Sequence, residues 1–220
     1  MTNEGGARAT ASIFGTLGAL FVIAYPLYVY FGLKHLSTRT LALGLAALLG
    51  SGLLFRLNGP RREHALVAAR VPIALVALLL FASFFDDPRL VLALPVVTNA
   101  LFLTHFATSL RSMPIAERFA RAHDGDLSAA QIVYCRGLTM AWIVFFVVNG
   151  AICGALALFA PVAWWTLYTG LLSYVALGAM VAIEYVIRKA RFRTYGAAPI
   201  DRALARIFPP RQAQAAQVPK

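Results

Sequence analysis

The chain has 220 residues, 60% hydrophobic and 13% charged, with a mean hydropathy of +0.72 and a formal net charge of +11. That composition is too apolar for a soluble domain of this size. The charge does not point to nucleic acid, because no groove-reading or base-stacking motif accompanies it and the basic residues sit at the margins of apolar runs and in one tail.

Six apolar runs follow one another: Ala11 to Leu33, Thr40 to Phe55, Val71 to Phe85, Leu90 to Leu110, Gly137 to Ala160 and Val162 to Ile187. They predict an all-α membrane protein, a bundle of about six transmembrane helices. Of the 20 Lys and Arg, only Lys34, Arg39 and Arg89 fall in one set of alternate gaps; the rest lie in the other set or at the termini. Since cytoplasmic loops hold the excess of Lys and Arg, both termini are expected inside. Residues 1–10 then form a cytoplasmic N-terminus, 11–187 the transmembrane domain and 188–220 a basic cytoplasmic tail. The first run extends about 23 residues, longer than the ~7 to 15 of a signal-peptide h-region, and reads as a signal anchor.

The second and third runs are short, at about 16 and 15 residues against the ~20 that cross a bilayer. They lengthen if Arg39, Arg56 and Arg70 snorkel to the headgroups. Between the third and fourth, Asp87 is placed to cap a helix whose first residue is Pro88, giving a tight outer hairpin. The longest inner connection, Arg111 to Arg136, has structure of its own. Pro114 opens a short amphipathic helix with Ile115, Phe119 and Ala122 on one side and Glu117, Arg118 and Arg121 on the other, Glu117 and Arg121 being spaced i,i+4. It is expected to lie along the inner surface. Ser128 and Gln131 then form a capping box, flanked by Leu127 and Ile132 as a hydrophobic staple, so that the fifth helix begins near Ala129.

The tail opens with Arg188, Lys189, Arg191 and Arg193, a cluster suited to anionic lipid. A second amphipathic helix is expected over 199–208, with Ile200, Ala203, Leu204, Ile207 and Phe208 opposite Asp201, Arg202 and Arg206. Pro209 and Pro210 end it.

Polar side chains at membrane depth are candidates for function because placing them there costs free energy. Here they are Asn99, His105, Asn149 and Glu184. Glu184 has Arg188 at i+4, which suits an interfacial ion pair as well as a proton-carrying site. His105, near the inner end of the fourth run, suits a packed or snorkelling histidine as well as a relay. Asn149 shares a helix face with Trp142, Phe145, Phe146 and Cys153, beside a Gly150-x-x-x-Gly154 motif. That face suits either a close helix contact held by an interhelical hydrogen bond or the wall of a cavity for a long apolar chain. Trp164, Trp165 and Tyr168 read as an interfacial aromatic belt.

Cys135 and Cys153 would stand about 27 Å apart on one helix at ~1.5 Å per residue, so they cannot form a disulfide within one subunit. No metal-ligand spacing is present, and no cofactor is expected. Motifs of the serine-hydrolase elbow, zinc-protease and P-loop types are absent, and catalytic residues remain unknown. No internal repeat relates the first three spans to the last three, which argues against an inverted-repeat transporter.

Three segments carry a resemblance: Pro114-Ile115-x-Glu117-Arg118; Tyr134-x-Arg136-x-x-Thr139-x-x-Trp142-x-x-Phe145-Phe146-x-x-Asn149-Gly150; and Trp164-Trp165-x-Leu167-Tyr168-x-Gly170. Here the chain resembles a family of small bacterial inner-membrane proteins encoded in aryl-polyene (xanthomonadin-type) pigment clusters. The resemblance implies association with enzymes that build, hand over or export a polyene acyl chain, and marks Glu117, Arg118, Tyr134 and Arg136 as a cytoplasmic motif. The same block is similar, more distantly, to the intracellular septation protein A family. The expected partners are therefore the bilayer, anionic lipid at the tail and polyene acyl-chain biosynthesis or export proteins. A structural envelope protein and a small transporter or membrane enzyme using Glu184 or His105 stand as alternatives.

Overall fold

A computed structural model describes residues 25–57, 69–196 and 198–209. The N-terminal segment 1–10, the first part of the first span, the basic pair Arg61 and Arg62 and the end of the tail lie outside the described residues. Among the described residues every regular element is helical. In chain order they are α1 (25–35), α2 (Thr38–Leu57), α3 (Arg70–Phe85), α4 (Pro88–Leu92), α5 (Leu94–Ser109), α6 (Ile115–Asp124), α7 (Ala129–Phe159), α8 (Val162–Leu167), a π-helical turn (Tyr168–Leu172), α9 (Ser173–Phe192) and α10 (Pro199–Ile207). Two stretches are long and apolar enough to cross a membrane, Ala129–Phe159 and Val162–Phe192; Thr38–Leu54 and Val71–Phe85 are shorter apolar helices.

The long helices are apolar around their whole circumference, as helices surrounded by protein or lipid are. Yet much of that surface is not covered by protein. Leu54, Phe84, Val144, Leu158 and Phe159 all project outward, Phe159 with 86% of its surface exposed. The chain divides into two compact units, one ending at Ser173 and the other beginning at Tyr174.

In the first unit the core gathers Val29, Leu41, Ala42, Leu45, Ala46, Leu79, Ala82, Val91, Leu92, Leu94 and Trp165. Leu41, Ala42, Leu45 and Ala46 form one stripe of α2, and the small residues let α2 and α3 pack closely. Gly32 serves the same end between α1 and α2: a Cβ there would stand 2.6 Å from Leu41 Cδ1. α2 spans 20 residues and takes in Arg39 and Arg56, so it is about 30 Å long, a full hydrocarbon thickness. The start of α2 meets the end of α3, where the Arg39 backbone N–H donates to Asp86 Oδ1 at 2.9 Å and its Nε donates to the Ser83 carbonyl at 3.1 Å. Asp86 caps α3 in the left-handed region (φ 53°), and Asp87 caps α4 by accepting from the Arg89 N–H, with Pro88 first in the helix as expected.

The fourth run, expected as one helix from Leu90 to Leu110, is instead broken at Ala93 into α4 and α5. Pro95 is the reason. It has no N–H to give to the Val91 carbonyl four residues back, and its ring crowds that carbonyl, while Ala93 itself stays in the right-handed helical region. The carbonyls at the break take side-chain donors: the Tyr25 hydroxyl bonds Val91 O at 3.0 Å and the Trp165 indole N–H bonds Leu92 O at 3.1 Å.

Candidate functional site

α7 begins at Ala129 because Ser128 and Gln131 cap it reciprocally. About five and a half turns later it presents Asn149 to α5 and to the π-helical turn. The Asn149 amide nitrogen donates to Asn99 Oδ1 at 3.0 Å, and Asn99 Nδ2 donates to the Pro95 carbonyl at 2.8 Å. Asn149 Oδ1 accepts from the Tyr168 hydroxyl at 2.9 Å and from Ser173 Oγ at 3.0 Å. Donation thus runs one way, from two hydroxyls through two amides to a backbone carbonyl. Both asparagines are buried. An amide oxygen is no base, so neither hydroxyl is set up as a nucleophile; the arrangement joins helices.

Glycine makes the approach possible. A Cβ on Gly150 would lie 3.1 Å from Asn99 Cβ, and one on Gly154 would lie 3.7 Å from a Val96 methyl. Tyr168 and Ser173 bracket the π-helical turn, whose wider winding brings both side chains onto one amide. Such turns recur at functional sites. Nothing in the apolar pattern announces this one.

Toward the other end of α7, Trp142, Phe145 and Phe146 make a helix contact. Phe146 stacks on Phe102 (centroids 5.4 Å apart) and meets Phe106 edge-on at 5.1 Å, while Trp142 lies 5.8 Å from Phe146 and 6.2 Å from Phe106. Phe145 packs edge-on against both of its α7 neighbours. Rings at these separations gain about 0.5–1.5 kcal/mol per pair beyond their area.

Beyond the rings, hydroxyls hold α6. Ser109 Oγ accepts from the Ile115 N–H at 3.2 Å, and Thr139 Oγ1 accepts from the Ala116 N–H at 3.3 Å while donating to the Cys135 carbonyl at 2.9 Å. Two of the unpaired amides at the start of α6 are therefore satisfied by neighbouring helices. Glu117 is buried and pairs with Arg121 at 2.8 Å. Arg118 is exposed and bonds the Met113 carbonyl. Phe119 and Ala122, grouped with Ile115 in the sequence, turn outward while Ile115 is buried, because α6 is held at its start and along its Glu117 side.

The remaining candidates lie apart. His105 and Arg136 are exposed, and Tyr134 is half-buried on α7. Glu184 and Arg188 pair on α9, with Arg188 Nε 3.2 Å from Glu184 Oε1, although that N–H is not aligned for a hydrogen bond. Trp165 does not join an interfacial belt: it is fully buried, edge-on to Tyr25, and Tyr168 is tied to Asn149. Only Trp164 faces outward, since neighbours on a helix point about 100° apart. Among the described residues no group of three His, Cys, Asp or Glu could hold a metal.

In the second unit the chain turns back after α9, with Arg193 in the left-handed region (φ 54°), and Asp201 of α10 becomes a hub. Its carboxylate accepts from the Tyr185 hydroxyl, the Gly196 N–H and Lys189 Nζ, the last at 3.1 Å. Lys189 also donates to the Thr194 carbonyl, and the Tyr195 hydroxyl bonds the Phe208 carbonyl. The Tyr185 hydrogen bond first, then those of Gly196 and Lys189, outweigh desolvation and hold the Asp201 carboxyl down at about 2. No local pattern announces this hub, because its partners lie 5 to 16 residues away across a turn.

Fold and site together define an all-helical protein with two helices able to cross a membrane, joined by a buried amide and hydroxyl node. No protein-family model, curated protein or solved structure matches the chain.

Proposed function

We propose that the chain is a six-span bacterial inner-membrane protein, with both termini in the cytoplasm, that acts as an accessory in aryl-polyene lipid assembly, transfer or export. The observation that carries the reading is a convergence. Two segments of the resemblance, one ending in Asn149-Gly150 and one containing Trp165, Tyr168 and Gly170, meet at a single node in space. Two of the three segments on which the expected resemblance to pigment-cluster proteins rests are thus joined in one structural unit, which fits a shared role better than a shared composition does. For the membrane placement, support comes from the uncovered apolar helix surfaces and from the meeting of two gaps assigned to the outer face, at Arg39 and Asp86.

The topology is tested by single cysteines in intact cells: a probe at Ser37 or Asp87 is labelled from outside, and one at Ala197 is not. Labelling at Ala197 would overturn six spans. The function is tested by deleting the gene and extracting the pigment, with Asn149→Leu in complementation. Deletion removes or alters the polyene pigment. Asn149→Leu lowers protein level and pigment in proportion, since interhelical hydrogen bonds average about 0.6 kcal/mol in membranes and three are lost. Unchanged pigment after deletion, or a division defect alone, would sink the polyene reading and leave envelope structure in its place.

A further inference from the structure

The helix α10 divides the apolar face its sequence presents, turning Leu204 inward beside Asp201 and leaving Ile200, Ala203 and Ile207 outward. An amphipathic helix at a protein surface ordinarily buries its large aliphatic side chains, yet here Asp201 and Leu204 are buried while Ile200 (55%) and Ile207 (67%) are exposed, along with Ala203. At 100° per residue, Ile200, Ala203 and Ile207 form one outward stripe, and the exposed Arg202 and Arg206 run along its edge. The inward side is fixed by Asp201 through Tyr185, Lys189 and Gly196, and by Leu204. Gly196 is matched to that contact, since a Cβ there would stand 3.0 Å from Asp201 Oδ2.

We infer that α10 is a preformed docking surface for an anionic phospholipid bilayer, with Asp201 as the positioning residue that turns its aliphatic stripe outward. An aliphatic stripe bordered by arginines is what an interfacial helix needs: the aliphatics enter the acyl boundary and the guanidinium groups meet lipid phosphates. The surrounding charge fits only an anionic surface. Arg191 and Arg193 precede the helix, and its own acid, Asp201, is turned inward and paired with Lys189. The inference rests on the inner-membrane placement proposed above and adds an orientation and a lipid class to it. Because the helix is already formed and clamped, the bilayer does not have to supply its ordering free energy.

The test uses the full chain reconstituted in vesicles of phosphatidylcholine alone or with phosphatidylglycerol, carrying a nitroxide at Ile200, Ile207 or Ala205 after replacement of Cys135 and Cys153. Oxygen and nickel-chelate collision rates then report depth. In phosphatidylglycerol vesicles the probes at 200 and 207 move below the phosphate level, and the probe at 205 stays above it. Arg202→Gln with Arg206→Gln lowers the ratio of inserted to water-exposed probe at 207 by about 30-fold, from roughly a factor of five for each charge near an anionic surface. Asp201→Ala abolishes the contrast between 205 and 207 even though both arginines remain. Equal water exposure at 200 and 207 in both vesicle types, or a deeper probe at 205, would overturn the inference. The cysteine labelling at Ser37 and Ala197 is independent of lipid composition, so a failure of topology is distinguished from a failure of docking.

Discussion

Two short amphipathic helices of this chain bury a carboxylate and turn some of their bulky apolar residues outward, Phe119 in α6 and Ile200 and Ile207 in α10, and they differ in how that carboxylate is held. Glu117 of α6 pairs with Arg121 one turn along the same helix. The helix is held mainly by other groups, the backbone amides of Ile115 and Ala116 on Ser109 and Thr139. Asp201 of α10 has no such local partner. Its hydrogen bonds reach back to α9 and to the connecting turn. One helix is therefore anchored at its start by several independent contacts, while the other is held chiefly through one side chain, with Leu204 and the Tyr195–Phe208 hydrogen bond beside it.

The largest effect is expected where the dependence is greatest. Asp201→Ala removes all three hub contacts and leaves the Lys189 ammonium without its carboxylate, so α10 should release as a unit; trypsin should then cut at Arg202 and Arg206 much faster than in the parent. Unchanged cleavage would mean that Leu204 and the turn hold α10 without the hub. Acid should reproduce this loss in the intact chain. The Asp201 carboxyl sits at about 2, below its ordinary value of about 4, so its contribution is complete above pH 4 and is lost as pH falls through 2. Amide exchange at Gly196 should lose protection over that window and no higher; loss at pH 5 to 6 would assign the clamp to another group.

The contrasting helix should respond less. Thr139→Val keeps the shape of a fully buried side chain but removes the acceptor for the Ala116 N–H, at a cost of about 1 kcal/mol and more if the amide finds no other partner. Thermal unfolding in detergent measures it. Glu117→Ala should be the mildest, about 0.5 kcal/mol, because an i,i+4 pair with a half-exposed arginine contributes little and Arg121 can turn to water. If Glu117→Ala proved as damaging as Asp201→Ala, the distinction between the two anchors would fail.

What could be read along the chain is what neighbours within four residues decide. The capping box at Ser128 and Gln131, the Asp87 cap with Pro88, the pairs Glu117–Arg121 and Glu184–Arg188 and the extents of the two amphipathic helices follow from helix geometry alone. The alternation of basic and poor gaps likewise needs only the order of residues. Which side of each apolar helix meets protein was not legible, because these helices are apolar all round and lipid and protein interior look alike to them. Tertiary structure alone paired Asn149 with Asn99 fifty residues away and brought Tyr168 and Ser173 to the same amide. It also buried Trp165 against the break that Pro95 makes, and it set α10 so that Asp201 and Leu204 point in and Ile200 and Ile207 point out. In each case a hydrogen bond across the fold took precedence over the face that hydrophobicity would choose, since a polar group left unpaired among apolar neighbours costs more than an aliphatic side chain facing outward.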